Sequence, residues 1–179
     1  RVILALPNSI DWIVSFFAIL QSGGVVVPVL QSATSSELKW IINKTKPTLF
    51  IGEGSFLNKS LPFDLMDDGE RVVVLSKKVL MRVNGTRRIN NLCDLIHGEH
   101  QISRSKDRHE VTASDIATIN FTYRGYGYPL GAMFNDDNYI AGIKAYSYTG
   151  NIDCPLRFLA NLPFGYMYTL VGCVLVPLA

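Results

Sequence analysis

Short apolar runs in the first half of the chain alternate with segments in which apolar residues recur every three or four positions. Each run is bounded by glycine, proline or polar residues, which is the pattern of a short buried strand. The periodic segments predict helices. Alternating strands and helices indicate an α/β fold, with a layered, mainly parallel sheet flanked by helices. The predicted strands lie at residues 1–6, 25–30, 48–51 and 71–75.

The first predicted helix covers residues 9–21. Asn8 is expected to cap its N-terminus, and a glycine pair at 23–24 is expected to end it. Apolar side chains occupy two faces of this helix, so it is expected to be buried on most sides. One face carries Ile10, Ile13, Val14, Phe17 and Leu20, and the other carries Trp12, Phe16 and Ile19.

A second helix follows Thr34, which forms a capping box with Glu37, and Pro47 bars its continuation. Residues 89–96 predict a short helix, and the charged stretch after it predicts an exposed linker. The chain is therefore expected to form one domain with a first α/β part, a polar linker and a glycine-loop part. These parts cover residues 1–100, 101–114 and 115–179.

The second part of the chain continues the α/β pattern, with a glycine-rich loop after its first strand. Asn135 or Asp136 can cap the helix that follows the loop, and Gly150 ends that helix. The last apolar stretch predicts a buried strand and then a buried helix. The extended segments are predicted at residues 116–122, 132–134 and 157–162, and the last helix at 165–176.

The last stretch also has to be compared with a membrane span, because residues 158–179 carry no charged side chain. Asparagine, glycine and two prolines interrupt it. A short uncharged run with such interruptions is more often a core element, so no membrane span is predicted.

Composition narrows the class of protein. Of the 179 residues, 48% are hydrophobic and 18% charged, which excludes a disordered chain and a coiled coil. A net charge of only +2 argues against a general nucleic-acid-binding protein. The three cysteines lack CxxC spacing, so neither a disulfide framework nor a zinc site is expected, and a cytoplasmic location is favoured. His97, His100 and His109 are interpreted as surface residues, not metal ligands.

The glycine-rich loop is the main chemical signal. Gly125, Gly127 and Gly131 come directly after a predicted strand, where backbone N–H groups can converge on an anion such as phosphate. Arg124 adds a positive charge and Thr122 adds a hydroxyl donor. Taken alone, the loop fits a phosphate site and a plain surface turn equally well.

The glycine spacing also matches a dinucleotide fingerprint superficially, so an NAD-binding α/β domain is an alternative. In that fold the helix starts within the motif. Here Pro129 lies inside the motif and the next helix starts only near Asp136, which argues against NAD. The loop is not a Walker A motif either, because no Gly-Lys-Ser/Thr follows.

Two blocks of sequence resemble a known family. The first comprises Leu6-Pro-Asn-Ser9, Trp12, the segment Gly23-Gly-Val-Val-Val-Pro28, and Thr34 to Glu37. The second comprises residues 115–131, where Thr122, Gly127, Pro129 and Gly131 match a phosphate loop that reads Thr/Ser-Ser-Gly-Thr/Ser-Thr-Gly-x-Pro-Lys-Gly. The chain thereby resembles the N-terminal subdomain of the adenylate-forming, AMP-binding superfamily. Leu162-Pro163 and the apolar helix after it resemble the segment that walls the family's acyl pocket.

The resemblance assigns nucleotide binding to the loop and places Tyr166 beside the carboxylate substrate. The loop departs from the family pattern, because Leu130 replaces the lysine and residues 123–126 replace the Ser-Gly and hydroxyl pairs. Arg124 is the proposed substitute for the lost lysine. The implied nucleotide-binding residues are Thr122, Tyr123, Arg124, Gly125, Tyr126, Gly127 and Gly131.

The resemblance implies an acyl-CoA synthetase-like ligase of fatty acid metabolism. Such an enzyme activates a carboxylic acid, here a fatty or other apolar acid, with ATP and Mg²⁺ to an acyl-adenylate. It then passes the acyl group to CoA or a carrier thiol. The altered loop leaves a second interpretation open, a non-catalytic relative that keeps the fold as a binding or structural module.

The chain begins and ends inside apolar runs, so it is expected to be part of a longer protein. The resemblance assigns the adenine-binding segment, the ribose-binding aspartate, the hinge and the catalytic lysine to that remainder. The chain is therefore expected to be inactive by itself, and none of its residues is assigned a catalytic or metal-binding role.

Overall fold

The computed structural model describes residues 1–53, 56, 71–74, 89–91, 110–122, 127–150 and 158–179. Within these residues, seven strands form one sheet in the order β5-β4-β3-β1-β2-β6-β7. The strands from β1 to β6 pair in parallel, and β7 pairs antiparallel with β6. The strands are β1 (Val2–Ala5), β2 (Val26–Pro28), β3 (Leu49–Gly52), β4 (Arg71–Val74), β5 (Ile89–Asn91), β6 (Ile116–Phe121) and β7 (Gly131–Asn135). The predicted α/β fold with a mainly parallel sheet is confirmed.

Helices cover both faces of the sheet. They are α1 (Ile10–Gln21), α2 (Ser35–Thr45), α3 (Asp136–Gly150) and a last helix, α4, which is continuous. α4 consists of a first turn Met167–Thr169, a π-helical segment Leu170–Leu175 and a last turn Val176–Leu178. Among the described residues, no helix combines the length and the apolar character needed to cross a bilayer.

The predicted capping box at the start of α2 is present. The N–H group of Glu37 donates to Thr34 Oγ1, and the N–H group of Thr34 donates to the Glu37 carboxylate at 2.8 Å. The helix ends where Lys46 adopts a left-handed conformation (φ 46°), directly before Pro47. Both boundaries therefore follow from the local sequence.

Alternate residues of the central strands face opposite sides of the sheet. Ile3 and Val27 face the side covered by α2, where they pack with Leu38, Ile41 and Ile42. Val2, Leu4 and Val26 face the side covered by α1, α3 and α4. Because both sides are covered, β1 and β2 are buried along their length, as their unbroken apolar runs predict.

The chain changes direction across the sheet after β2. It passes from β1 through α1 to β2, and then through α2 to β3 on the other side of β1. Right-handed crossovers place these two helices on opposite faces of the sheet. The carboxyl ends of β1 and β2 therefore flank a crevice, the place where open α/β sheets bind ligands.

The start of α1 and its buried face differ from the prediction. Ser9 caps the helix in place of Asn8, because the N–H group of Trp12 donates to Ser9 Oγ at 3.1 Å. Trp12 and Phe16 face the sheet with their rings stacked at 5.2 Å between centroids. These large rings remove the most apolar area from water, so their face is buried. The helix is therefore not buried on most sides as predicted, because the other apolar face is largely exposed, with Ile10 at 79%, Val14 at 58% and Phe17 at 39%.

Two further segments differ from the prediction. Residues 89–91 form the edge strand β5 and not the start of a helix, because parallel pairing with β4 overrides a weak local preference. Residues 158–162 form no strand and are largely exposed, and the last helix starts at Met167.

Several predictions fall on residues outside the described part of the chain. These are residues 92–96 of the predicted short helix, residues 101–109 of the predicted linker, and all three histidines. The division of the chain at the linker stays a prediction.

Candidate functional site

A small cleft lies at the carboxyl ends of β2 and β6, beside the crevice of the sheet. It has a volume of about 30 Å³ and is lined mainly by apolar side chains. The lining residues include Leu30, Ile41, Phe121, Thr122, Pro129 and Tyr166. A more open pocket of about 300 Å³ adjoins it through Val29, Leu30 and Gly165, and also includes Asn8 and Pro163. The position of both pockets follows the rule for ligand sites in open α/β sheets.

The glycine-rich loop is closed at its base by a pair of hydrogen bonds. The N–H group of Thr122 donates to the carbonyl oxygen of Leu130 at 2.8 Å, and the N–H group of Leu130 donates to Thr122 Oγ1 at 3.1 Å. The hydroxyl of Thr122 thus accepts from the hairpin, and its own hydrogen is compatible with donation to a ligand. Residues 123–126 lie outside the described residues.

Helix α2 holds the far side of the same loop. The indole N–H group of Trp40 donates to the carbonyl oxygen of Pro129 at 3.0 Å, and its ring stacks on that of Tyr128. The ammonium group of Lys44 lies 4.6 Å from the centroid of the Trp40 ring, in cation–π geometry. We refer to Trp40, Tyr128 and Pro129 as the Trp40 latch.

Two of the three loop glycines have a structural reason to be glycine. A Cβ atom on Gly131 would lie 3.2 Å from the ring of Phe121 and 3.1 Å from the side chain of Ile119. Gly127 has φ +104°, a conformation that residues with side chains rarely adopt. The third, Gly125, lies outside the described residues.

Tyr166 reaches the cleft from the turn that precedes α4. Its N–H group donates to the carbonyl oxygen of Pro163 at 3.0 Å, and its carbonyl oxygen accepts from Leu170 at 2.8 Å. A Cβ atom on Gly165 would lie 3.2 Å from Leu30, so this turn is pressed against the end of β2. The structure therefore brings Tyr166 and Thr122 to one cleft from positions far apart in sequence.

The predicted site residues fall into three groups. Thr122 and Tyr166 line the cleft, and Gly127 and Gly131 lie in the hairpin beside it. The other predicted loop residues, Tyr123, Arg124, Gly125 and Tyr126, lie outside the described residues. Leu130, at the position of the family's lysine, has a side chain that is 73% exposed.

Sequence reasoning missed two residues that shape this region. One is Trp40, for which the sequence predicts no role, and the other is Asn8, which the sequence predicts as the cap of α1. The amide nitrogen of Asn8 donates to the carbonyl oxygen of Leu162, and its amide oxygen accepts from the N–H group of Phe164, each at 2.8 Å. No local pattern signals either contact, because both partners are distant in sequence.

A cluster of buried polar side chains lies along β6, just before this strand reaches the cleft. The hydroxyls of Thr118 and Tyr139 are 2.6 Å apart, and the amide nitrogen of Asn120 donates to Thr118 Oγ1 at 3.2 Å. Burial raises the pKa of Tyr139 above its ordinary value. The amide oxygen of Asn120 and the hydroxyl oxygen of Thr169 are buried without a hydrogen-bond partner among the described residues.

The backbone after the loop decides the question of a dinucleotide fingerprint. Residues 131–135 form β7, and α3 starts only at Asp136. In the described part of the motif, residues 127–131, no helix begins that could meet a pyrophosphate, and the first helix after the motif starts beyond β7, so the NAD-binding alternative is wrong. In the described part of the chain, no three His, Cys, Asp or Glu side chains cluster in a way that could hold a metal ion.

Comparison with known proteins agrees with this geometry. The sequence model of the family described as AMP-binding enzyme matches residues 1–179. The chain belongs to the AMP-binding enzyme family. The fold is that of the superfamily's N-terminal domain, since the structure of the A-PCP didomain of carboxylic acid reductase from Segniliparus rugosus, in complex with AMP, superposes with a TM-score of 0.79. That match covers 99% of this chain and 27% of the reductase chain, at 17% identity.

Two curated proteins are also similar in sequence to this chain. A medium-chain fatty-acid–CoA ligase of Escherichia coli is 25% identical over 93% of this chain and 29% of its own length. The peroxisomal OPC-8:0-CoA ligase 1 of Arabidopsis thaliana is 25% identical over 96% of this chain and 30% of its own length. The chain thus spans about three tenths of the length of these relatives.

Proposed function

We propose that the protein to which these residues belong is an acyl-CoA synthetase-like ligase. It would use ATP to activate a carboxylic acid as an acyl-adenylate and then transfer the acyl group to CoA or a carrier thiol. One observation carries the proposal: the glycine-loop hairpin and Tyr166 converge on a single cleft at the carboxyl ends of β2 and β6. Membership in the AMP-binding family supports the same conclusion.

The loop residues are proposed to hold the phosphates of the nucleotide. Thr122 would donate from its hydroxyl, and the backbone N–H groups of the glycine-rich segment would form an anion nest. Such groups stabilise the charge that develops at the α-phosphate, and this kind of stabilisation is the main form of catalysis in phosphoryl chemistry. Mg²⁺ would accompany the phosphate oxygens, which are ligands that this hard cation prefers. The binding set is Thr122, Tyr123, Arg124, Gly125, Tyr126, Gly127 and Gly131.

The acid is proposed to lie on the side of Tyr166. The cleft beside Tyr166 is lined by the apolar side chains of Val29, Leu30 and Ile41. An apolar wall favours a fatty or other apolar acid over a charged one. The similar protein from Escherichia coli is a medium-chain fatty-acid–CoA ligase, which supports octanoate as a first substrate to test.

We also propose a cytoplasmic location.

The proposal is tested by ATP–pyrophosphate exchange in the full-length protein with octanoate as the acid. Exchange that depends on both ATP and the acid is expected. Residues 1–179 alone are expected to give no acyl-adenylate, because the family's ribose-binding aspartate and catalytic lysine are assigned elsewhere and the reacting groups cannot be positioned. Acyl-adenylate formation by residues 1–179 alone would contradict this part.

A second function is a non-catalytic member of the family that binds a nucleotide or an acid without reaction. The observation that favours it is Leu130, an exposed apolar side chain at the position of the family's lysine. In this case ATP binds in calorimetry, but pyrophosphate exchange stays at background with octanoate and with shorter and longer acids. The two functions therefore differ in exchange and not in binding.

A further inference from the structure

The side-chain amide of Asn8 pairs with a backbone segment as a strand residue would. Its nitrogen donates to the carbonyl oxygen of Leu162 and its oxygen accepts from the N–H group of Phe164, each at 2.8 Å across 154 and 156 residues of sequence. In a parallel ladder, one residue bonds in this way to the residues on either side of its partner. The partner here is Pro163, whose missing N–H group is not needed for this pattern. Beyond the carboxyl end of β1, the Asn8 side chain thus pairs with residues 162–164 as a parallel strand residue would.

The segment that Asn8 holds carries Tyr166 to the cleft. Gly165 follows at once and is pressed onto the end of β2, with Leu30 only 3.2 Å from where a Cβ atom would be. The Phe164 ring meets Trp12 of α1 edge to face, with 5.4 Å between the centroids. The turn is therefore held by Asn8 on the β1 side, by β2 below and by α1 through Phe164. The Asn8 amide contributes two hydrogen bonds to this turn from outside it.

Only a primary amide can make both bonds from this position. An aspartate has no hydrogen to donate at neutral pH, and a serine hydroxyl is too short to span two peptide groups. Asn8 is also not needed at the N-terminus of α1, because Ser9 caps that helix. The identity of Asn8 is thus explained by the distant segment and not by the helix beside it.

The hairpin side of the cleft is held by different residues. Thr122 pairs with Leu130, and the Trp40 latch joins the hairpin to α2. No described contact connects Asn8 with these groups. A change at Asn8 should therefore displace the Tyr166 side of the cleft and leave the hairpin in place.

We propose that Asn8 is a positioning residue that fixes Tyr166 at the cleft and thereby sets the affinity for the carboxylic acid, but not for ATP. The inference rests on the proposed function, in which Tyr166 lies beside the acid. Asn8 touches neither substrate in this scheme and acts only through the Leu162–Tyr166 turn.

We refer to the two hydrogen bonds from the Asn8 side chain to Leu162 and Phe164 as the Asn8 clamp. The clamp is tested by amide hydrogen exchange, a measurement that does not require enzymatic activity. In Asn8→Ala, the N–H group of Phe164 should exchange about fivefold faster, the factor that corresponds to one ordinary hydrogen bond. Amides in the centre of β1 and β2 should keep their wild-type rates. Unchanged exchange at Phe164 would mean that the clamp does not hold the turn, and the inference would be wrong.

The positioning role is tested by the Michaelis constants of pyrophosphate exchange in the full-length protein, with octanoate and ATP varied in turn. Asn8→Ala should raise the KM for octanoate about tenfold and leave the KM for ATP within about twofold, as expected for a local misplacement on one side of a site. Asn43→Ala, which removes the same side chain at an exposed position of α2, is the matched control and should change neither constant. A parallel rise of both constants, or no rise with the turn released, would overturn the inference.

Asn8→Asp supplies a readout that a merely destabilised fold would not give. At pH 8 the carboxylate accepts from Phe164 but repels the carbonyl oxygen of Leu162, so the KM for octanoate should be raised. Carboxyl groups have a pKa of about 4 in water, and a nearby carbonyl oxygen raises it, so lowering the pH toward 5 restores a donor. The KM ratio of this variant to wild type should fall with pH, whereas the ratio for Asn8→Ala should stay constant. Equal pH dependence in both variants would contradict the inference.

Failure of the proposed function is distinguishable from failure at Asn8. An inactive wild type contradicts the proposed function. In that case calorimetry with octanoate decides the inference about Asn8: tighter binding by wild type than by Asn8→Ala supports it, and equal or absent binding overturns it. An active wild type whose Asn8 variants keep the wild-type KM contradicts the Asn8 inference alone.

Discussion

The ring of Trp40 lies nearly parallel to that of Tyr128, with 4.5 Å between the centroids and 16° between the planes. This contact, together with the hydrogen bond to Pro129, attaches the glycine hairpin to α2. Trp40→Phe keeps a ring and loses the hydrogen bond, so it should lower the free energy of unfolding by about 0.5–1.5 kcal/mol. Trp40→Ala loses both and should cost about 1–3 kcal/mol. Urea unfolding measures the cost, and ATP affinity should fall in the same order.

The control for the Trp40 latch is Lys44→Met, which removes only the charge above the indole ring. An exposed cation–π contact stabilises by about 0.5–1 kcal/mol, so this variant should lie close to wild type. If Trp40→Ala binds ATP as tightly as wild type, the latch does not position the hairpin.

A second prediction concerns the charge that the loop offers to phosphate. In the full-length protein, Arg124→Ala should weaken ATP binding by about 1.5–3 kcal/mol, the usual contribution of a hydrogen bond to a charged group. Leu130→Lys adds a cation at an exposed position of the hairpin and should leave binding unchanged or strengthen it. Lys144→Ala, which removes one positive charge from α3, is the matched control. Unchanged ATP affinity in a folded Arg124→Ala protein would favour the non-catalytic function.

The glycines of the hairpin should respond to alanine for different reasons. Gly131→Ala places a methyl group against the ring of Phe121 and should destabilise by about 1–3 kcal/mol through crowding. Gly127→Ala meets no atom within 4 Å but strains a backbone with φ +104°, at a cost of about 1–3 kcal/mol. A double-mutant cycle with Phe121→Leu separates them, because only Gly131→Ala should couple to it. Equal coupling in both cycles would contradict this explanation.

Tyr139 should make stability depend on pH in the alkaline range. Its pKa is raised above 10.0 in the folded state, first by burial, so the folded state retains the phenol proton where the unfolded chain loses it. This contribution to stability is complete below about pH 10 and is lost as the pH rises through the folded-state pKa. Tyr139→Phe leaves Thr118 and Asn120 without the phenol and should cost about 1–3 kcal/mol at pH 7. In urea unfolding, the difference in free energy of unfolding between Tyr139→Phe and wild type should become smaller above pH 10. A difference that stays constant with pH would contradict the raised pKa of Tyr139.

Replacing Thr169 with an apolar residue of the same shape should stabilise the folded protein. Its hydroxyl oxygen is buried without a partner among the described residues, and an unpaired buried hydroxyl costs about 1–3 kcal/mol. Thr169→Val keeps the shape of the side chain and should raise the melting temperature. Thr45→Val is the matched control, because the buried hydroxyl of Thr45 donates to Ile41 at 2.7 Å, and it should give no gain. A gain in both variants would show that the unpaired oxygen is not the cause.

Local sequence predicts those parts of the fold whose cause is local. The capping box of Thr34 and Glu37, the end of α2 before Pro47 and the apolar runs of β1 and β2 each involve neighbouring residues, and all are present. Burial of α1 on most sides is wrong, because periodicity counts apolar positions equally, whereas packing buries the face with the large rings of Trp12 and Phe16.

The parts that sequence does not predict depend on distant partners. Residues 89–91 form a strand because they pair with β4, which is distant in sequence. No pattern in the local sequence predicts that pairing. From sequence alone, Asn8 could cap α1 or could bind a distant backbone segment. Its role is determined by the position of residues 162–164, to which its side chain is hydrogen-bonded. Thr122 and Tyr166 could each be proposed from the family resemblance, but their convergence on one cleft depends on the whole sheet.

The pairing of β2 with β6 has a consequence for how this molecule is made. Val26 pairs with Thr118, which leaves the ribosome roughly ninety residues later. Until then β2 has one unpaired edge, next to a stretch already able to fold as β1, α1, β2, α2 and β3 through contacts of short range. An unpaired apolar edge attracts other strands, so the growing chain is most exposed to aggregation in this interval. The cleft is complete only when the turn that carries Tyr166 has also emerged, so the ligand site forms near the end of the synthesis of these residues.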